Sequence, residues 1–442
     1  MILPGWGWNA HGKGGTGAVT TLLWRPDFPM RATTLLHRLL GINNARVLDA
    51  EFTADGLICD VSLTTSTPRC GTCGCRCRKV YDVRDARLWR HLDMAGMRVW
   101  LRYRPRRANC HRCGVTTEMV PWAAHDSWFT WAFEQTTAYL AQQCNRTVVS
   151  TMMRIAWATV GSIIRRVVDR LAPADLLDGL THIGVDELSY RKHHKYVTIV
   201  VDHTTGRVVW AREGKNADVL IEFFRELGEA RAAQLQAVTI DMSKAYIKAV
   251  ETMAPKATIV FDRFHVQRLV HDALDELRRS QVRAATDADD RAALKGTRWA
   301  LQKNPWNLSG IETEKLTELQ RTNFTLYRGY LLKESLAGIL DKRQPNVARA
   351  KLGEWISWAT HSGLEPFAKA ARTIREHLDG IVAYVATGLS NGRSEGLNGK
   401  ARTLTRRAYG FHDANSLIGM LFLCCSGITV LPAQTTPHIH QT

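Results

Sequence analysis

Hydrophobic spacing changes its period near Leu180. Upstream, Trp131 to Leu171 reads as three short helical segments, with breaks at Asn145 and around Ile155 to Ala158. The third is the most regular: Val160, Ile163, Ile164, Val167, Val168 and Leu171 follow the i, i+3, i+4, i+7 spacing of an amphipathic helix. Arg165, Arg166 and Arg170 fall off that stripe. A helix that buries one face on its predecessor and offers a basic face outward has the layout of a recognition helix in a helix-turn-helix. The plain alternative is a three-helix linker bundle, which shares the same spacing.

Downstream, strands alternate with helices. THIGVDELSY predicts a strand carrying Asp186, and KYVTIVVD and RVVWARE predict two more, joined by the hairpin signal HTTG. ADVLIEFFRELG sets Leu220, Phe223, Phe224 and Leu227 on one helical face and stops at Gly228. Next come the strand AVTID, ending in Asp241, a helix from about Ser243 to Thr252, the strand ATIVFD, and a helix with Val266, Leu269, Val270, Ala273, Leu274 and Leu277 on one face. This β-β-β-α-β-α-β-α order is that of the RNase H-like fold, whose first and fourth strands are neighbours. Asp186 and Asp241 are therefore expected at one sheet edge, as two-metal phosphoryl chemistry requires.

Three other acidic residues on these strands read differently. Glu187 points to the opposite face by strand alternation, and Asp202 sits in a hairpin turn where aspartate is routine. Both are excluded from the metal set. Asp262 ends the fifth strand, outside the fourth, in IVFDRFHV. It is expected to cap the helix that follows, or with His265 to support the site.

A third carboxylate must come from later in the chain, and Glu395 in GLSNGRSEGLNGKARTLTRRAYGFHDANS is the candidate. Asn391, Glu395, Asn398 and Arg402 fall at i, i+4, i+7 and i+11 of a helix, one polar stripe on a segment expected to pack against the sheet. A solvated surface face is the bland reading of that stripe. Residues 280–378, rich in Arg, Lys, Glu, Ala, Leu and Trp, predict a helical insertion between the core segments 173–279 and 379–431.

Composition narrows the partners. Lys and Arg outnumber Asp and Glu by 59 to 42, a formal charge of +17 over 442 residues, which favours a polyanion such as nucleic acid. The longest apolar stretch, Leu417 to Leu431, is too short to span a bilayer and is expected to be a core helix. Residues 1–29, glycine-rich and without signal-peptide character, are expected to be a poorly ordered extension, and 432–442 a tail.

Ten cysteines without secretory features call for a metal reading before a disulfide one. Cys70 and Cys73, then Cys110 and Cys113, form two C-x2-C knuckles suited to one structural zinc within residues 30–120. Cys75 and Cys77 leave open which thiol partners Cys70. The segment between the knuckles alternates apolar and basic residues at strand spacing, with its arginines expected to face outward toward phosphates.

Together the motifs GVDE at 184–187, TIDMSKAY at 239–246, VFDRFHV at 260–266, SNGRSEGLNGKAR at 390–402 and RRAYGFHD at 406–413 resemble DDE-superfamily transposases of the bacterial insertion-sequence group written ISL-three. The resemblance covers Cys70 to about Ile418. The glycine-rich start before Met30 has no counterpart in it, and the Cys75 and Cys77 cluster is denser than the usual knuckle. It implies a zinc-binding segment, a helix-turn-helix at 121–172 and an RNase H-like catalytic domain. Its chemistry would be cleavage and strand transfer at the ends of a mobile element, with Asp186, Asp241 and Glu395 holding two Mg²⁺ or Mn²⁺ ions.

The D-x2-H spacing of Asp262 and His265 resembles a supporting motif of Mutator-like transposases. Lys400, Arg402, Asn391 and Asn398 are expected phosphate contacts, with Arg406 and Arg407 as further candidates. The expected partner is double-stranded DNA, bound by a homodimer or larger oligomer in the cytoplasm, at the nucleoid, and no membrane is expected. Two other classes compete: a non-catalytic DNA-binding regulator, and another RNase H-like nuclease such as a junction resolvase.

Overall fold

The computed structural model describes residues 31–433 except 174, 192–194, 287–290, 292–293, 390–391, 409–410 and 412, so the extension at 1–29 lies outside the described residues. Two compact units divide inside the first helix after the small domain, between Phe133 and Glu134.

The first unit holds α1 (Ala32–Leu40) and seven strands: β1 (Ala45–Thr53), β2 (Gly56–Leu63), β3 (Val80–Val83), β4 (Arg87–Met94), β5 (Met97–Tyr103), β6 (Arg106–Cys110) and β7 (Gly114–Thr117). They form a four-stranded sheet ordered β1-β2-β5-β4 and a three-stranded sheet ordered β3-β6-β7. Val47, Leu57, Val61, Trp89, Val99, Leu101 and Trp122 make the core of the larger sheet. The strands fall where alternation predicts them, and Arg84 and Arg104 of this segment are exposed, but the expectation that its arginines face out is corrected at three positions. Arg90 is buried and paired with Asp93, Arg102 forks onto Asp60 with both bonds at 2.7 Å, and Arg106 binds the fully buried Glu118. Strand spacing sets side-chain parity; it does not show the acidic partners, Asp93 on the same strand as Arg90, Asp60 on β2 and Glu118 just after β7.

The second unit opens with α2 (Trp131–Gln143), α3 (Arg146–Met153) and α4 (Trp157–Leu171). The sheet that follows is built from β8 (His182–Arg191), β9 (Lys195–Asp202), β10 (Arg207–Glu213), β11 (Ala237–Ile240) and β12 (Thr258–Phe261), with α5 (Ala217–Leu227) and α6 (Glu229–Ala232) before β11, α7 (Lys244–Met253) before β12 and α8 (Arg263–Ala284) after it. Its order is β10-β9-β8-β11-β12: a three-stranded antiparallel meander extended by two strands parallel to β8. The connection between β9 and β10 is fixed by Asp202, whose carboxylate accepts the Thr204 and Thr205 amides at 2.9 and 3.1 Å. That is the turn role predicted for it.

Strand parity splits β8 between two cores. Ile183 and Val185 join Leu220, Phe223, Phe224 and Val250 on one face of the sheet. Leu188 and Tyr190 join Val197, Ile199 and Val201 on the other, under α15 (Gly392–Arg407) and α16 (Ala414–Cys425), the labels allowing for the insertion helices between. The apolar Leu417 segment is thus a core helix, and no single helix among the described residues is long and apolar enough to cross a membrane.

The insertion is helical: α9 (Thr297–Gln302), α10 (Gly310–Thr322), α11 (Phe324–Leu340), α12 (Pro345–Thr360), α13 (Glu365–Glu376) and α14 (Leu378–Thr387). Among the described residues its core is continuous with that of the sheet. Leu326, Leu336, Trp355 and Phe367 belong to the same apolar cluster as the sheet, and α11 and α13 pack along α8, which runs on to Ala284. At Gly380 in α14 a Cβ would stand 2.4 Å from the Phe261 ring, so glycine is required where this helix meets β12.

Candidate active site, DNA-binding helices and zinc centre

The parallel register decides which acidic side chains meet. Thr239 pairs with Gly184 across β11 and β8, and Ile240 pairs with Phe261 across β11 and β12. Carried one and two residues on, that register sets Asp241 beside Asp262 and beside Asp186, at strand spacings of about 4.8 Å. Three aspartates therefore stand in one row just past the parallel ladders, after the carboxyl ends of β11 and β12 and midway along the longer β8, the side of a parallel sheet where ligands usually bind. All three line a cavity of about 720 Å³, together with Glu187, Lys215, Tyr246, Phe264, His265 and Arg402. The amides of Glu187 and Ser243 donate to Asp186 at 2.7 Å and to Asp241 at 3.0 Å, fixing both carboxylates against their own backbone.

Two sequence readings change here. Asp262 is 3% exposed at the start of α8, and its side chain makes no capping hydrogen bond to that helix. It belongs to the cavity with His265, one turn into α8. Glu187 does have the parity opposite to Asp186, yet it also lines the cavity and bonds Tyr246 of α7. Burial, and then the Asp241 and Asp186 charges, push its carboxyl above the usual range, while the Tyr246 bond and Lys215 pull the other way. Alternation separates neighbours across a sheet, but beyond the last β8–β11 pair both faces of β8 border the same opening.

Helix α15 packs on β8, burying Leu397, Ala401 and Leu404. Glu395 lies on this helix two turns before Arg402, the residue that reaches the cavity. Asn391 and the side chains of Glu395 and Asn398 lie outside the described residues. Lys400 and Arg406 are exposed. Arg407 is committed within the protein: its guanidinium donates to the Ala141 and Gln142 carbonyls, both at 2.9 Å, closing the C-terminal end of α2.

In the three-helix segment, Asn145 caps α3 by accepting the Val148 amide at 2.8 Å. Arg146 lies over the Trp157 ring at 3.5 Å and donates to the Trp157 carbonyl at 2.8 Å, across a groove that only Gly161 leaves open. A glycine inside an otherwise amphipathic helix was the signal for that close approach. Of the three arginines expected on the exposed face of α4, only Arg165 is exposed. Arg166 and Arg170 turn instead onto Glu134 of α2, fully buried, at 2.7 and 3.4 Å. A buried carboxylate demands charge partners, and these two supply them. Removing it strands two guanidinium groups that are each about a quarter exposed, so Glu134→Ala is expected to lower stability by about 3 kcal/mol in urea unfolding of the full chain. A loss below about 1 kcal/mol would return both arginines to the DNA-facing set.

In the first unit, Cys70, Cys73, Cys110 and Cys113 come together with their Sγ atoms all within 4.8 Å of one another. The Cys73 and Cys110 sulfurs stand 3.6 Å apart, close to the edge of about 3.8 Å that a tetrahedron of ~2.3 Å Zn–S bonds requires. The Arg112 and Cys113 amides hold the Cys110 thiol below its ordinary range, as a thiolate ligand needs. Cys77 is different: burial pushes its thiol up, and it donates to the Cys75 carbonyl at 3.6 Å. Of the alternatives left open for the first knuckle, the geometry selects Cys73. The fit is to a closed, structural zinc site.

A trio of helices with an exposed arginine, a four-cysteine cluster that fits zinc and an acidic cavity beside a parallel ladder suit an enzyme acting on DNA, and comparison with known proteins specifies the class. Residues 183–421 match a family model described as a transposase, 118–168 the helix-turn-helix domain of transposase family ISL3, and 66–113 the zinc-finger of transposase IS204/IS1001/IS1096/IS1165. The transposase for insertion sequence element IS1557 of Mycobacterium tuberculosis is 38% identical over 90% of this chain and 96% of its own length. The transposase for IS1001 of Bordetella parapertussis is 29% identical over 79% of this chain and 87% of its own. The chain belongs to the ISL3 family of insertion-sequence transposases.

Proposed function

We propose that the sheet is an RNase H-like catalytic core in which Asp186, Asp241 and Glu395 bind the divalent metals of a DDE transposase that cuts at the terminal inverted repeats of its element and joins the freed ends to new DNA. The observation that carries this reading is the strand register that aligns Asp186 with Asp241 in one cavity, under a helix bearing Glu395. Carboxylate oxygens crowded at one edge suit hard cations such as Mg²⁺ or Mn²⁺, since bare like charges side by side oppose one another. Asp186, Asp241 and Glu395 would hold two such ions, whose chemistry there would be activation of the attacking water or 3′-hydroxyl and stabilisation of the leaving oxygen.

The chain's own residues do the rest. Asp262 supports the aspartate row from β12. Arg402, with Lys400, Asn391 and Asn398 on the same segment, holds the phosphate backbone. Arg165 and the exposed surface of the helix-turn-helix engage the repeat, with Arg166 and Arg170 fixing the helices rather than touching DNA. Two element ends must be held together for joining, which calls for a homodimer or larger oligomer, working on chromosomal DNA at the cytoplasmic nucleoid.

Incubating the purified protein and Mg²⁺ with DNA carrying the inverted repeats that flank its gene is expected to yield cuts at the repeat ends and joined products. Cuts without joining would favour a nuclease of the same core, and binding without either would favour a regulator. His265, one turn past Asp262, is proposed to orient the scissile phosphate or a metal ligand. His265→Ala is therefore expected to slow cleavage by on the order of 10²-fold while Mg²⁺ affinity falls only partly. Unchanged cleavage would leave the histidine a packing residue beside Phe264.

A further inference from the structure

Phe264 and Arg268, on successive turns of α8, line the catalytic cavity and also a second one of about 490 Å³ on the side of the insertion. The two openings share a wall. The far side of the second comes from the end of α9 and the turn after it, where Gln302, Lys303, Asn304 and Asn307 line it. Phe264 is 50% exposed, at the threshold between the two. Trp306, 74% exposed, sits between Asn304 and Asn307, and Trp299, 63% exposed, lies one turn before Lys303.

The wall is held in place. Lys303 is pinned by both Glu312 oxygens at 2.6 and 2.8 Å, and the Gln302 side chain by His271 at 2.6 Å and by the His271 carbonyl at 3.2 Å. Glu312 in turn closes a capping box with Ser309 at the start of α10. Exposed aromatic faces, amide side chains that each carry a donor and an acceptor, and cations beside them are the chemistry of nucleobase recognition: rings stack, amides read base edges, cations hold the adjoining phosphate. The volume falls in the ~300–1,000 Å³ range of small-ligand sites.

We infer that this second cavity is a nucleotide-binding subsite, which takes a base extruded from the DNA next to the phosphate being cut, with Phe264 as its stacking platform and Asn304 and Asn307 on its edge. The inference rests on the proposed catalytic reading, because the subsite adjoins the cavity in which the scissile phosphate would lie. Taking a base out of the stack costs a few kcal/mol, and an aromatic surface placed at the exit offsets it. The insertion then has a substrate-handling role that its place between the core segments does not announce.

The test uses the full chain and an oligonucleotide duplex carrying one element end. Phe264→Ala and Asn304→Ala/Asn307→Ala are expected to cut it about tenfold more slowly than the unaltered protein, with duplex affinity held within twofold. Phe264→Trp should keep near-full rate. A duplex with an abasic site at one position within two nucleotides of the cut should restore the rate of Phe264→Ala, because no base remains to be unstacked. Equal rates for both alanine variants and the unaltered protein, or a Phe264→Ala defect that no abasic position relieves, would overturn the subsite. Asp186→Asn serves as the control for the underlying reading: it should be inert on every duplex, and cutting by it would remove the catalytic assignment and the subsite with it.

Discussion

Asp186→Ala and Asp241→Ala are each expected to reduce cleavage of the element end by at least about 10³-fold, with DNA affinity unchanged within a factor of a few. The expectation follows from position. Asp241 follows the end of β11, Asp186 lies on the neighbouring β8 just past their parallel pairing, and both are braced by the Ser243 and Glu187 amides and share one cavity with Asp262. Neither carries the fold: the apolar cluster on either face of β8 is built from Ile183, Val185, Leu188 and Tyr190. Loss of either oxygen set should therefore remove metal binding while leaving the helix-turn-helix to hold DNA. Glu395→Ala is expected to match them. Cleavage within tenfold of the unaltered protein in any of the three would take that residue out of the metal set. Gel-shift affinity measured on the same preparations separates a chemical defect from a binding one.

The second large effect concerns zinc. Cys110→Ser, or removal of zinc by a chelator, is expected to unfold the β3-β6-β7 sheet, because zinc binding supplies on the order of 10 kcal/mol in small structural sites and this sheet has little else. Its buried apolar cluster consists of Cys70, Cys77, Ala108 and Cys110, with Cys75 against them. The larger sheet, with Trp89, Leu101 and Trp122 at its core, should persist. The measurement is amide hydrogen exchange over residues 66–118 with and without metal. Protection should collapse there and hold over β1 and β2. Cys77→Ser is the control, since its thiol bonds a carbonyl rather than joining the four-sulfur cluster, and zinc content should be unaffected. Retained protection in Cys110→Ser would show that the knuckle folds without its metal.

Much of this was legible along the chain because it rests on local periodicity. The strands and helices from His182 to Ala284 follow apolar spacing, and the adjacency of the first and fourth strands follows from their order. What periodicity does not carry is pairing between distant segments. Arg166 and Arg170 looked free because Glu134 stands more than thirty residues earlier on another helix. Arg407 looked like a phosphate contact because the α2 carbonyls it serves carry no sequence signature. Asp262 left two readings open, a helix cap or a support of the site with His265; it makes no side-chain cap bond, and the register beside Asp241 favours the second. Glu187 shows the limit of the parity rule where the pairing with β11 ends at an opening. The shared wall between the two cavities joins α8 to a turn some forty residues later, which no local pattern links.

One metal site is expected to gather residues from β8, the end of β11 and α15. Iron-directed cleavage measures this: Fe²⁺ replaces Mg²⁺, ascorbate and peroxide generate hydroxyl radicals at the bound ion, and the cut peptides are mapped. The expected cuts fall within a few residues of Asp186, Asp241 and Glu395 together, suppressed by excess Mg²⁺ and absent in the Asp186→Ala/Asp241→Ala double variant. Cuts that avoid the segment around Glu395, or that persist unchanged in the double variant, would contradict it.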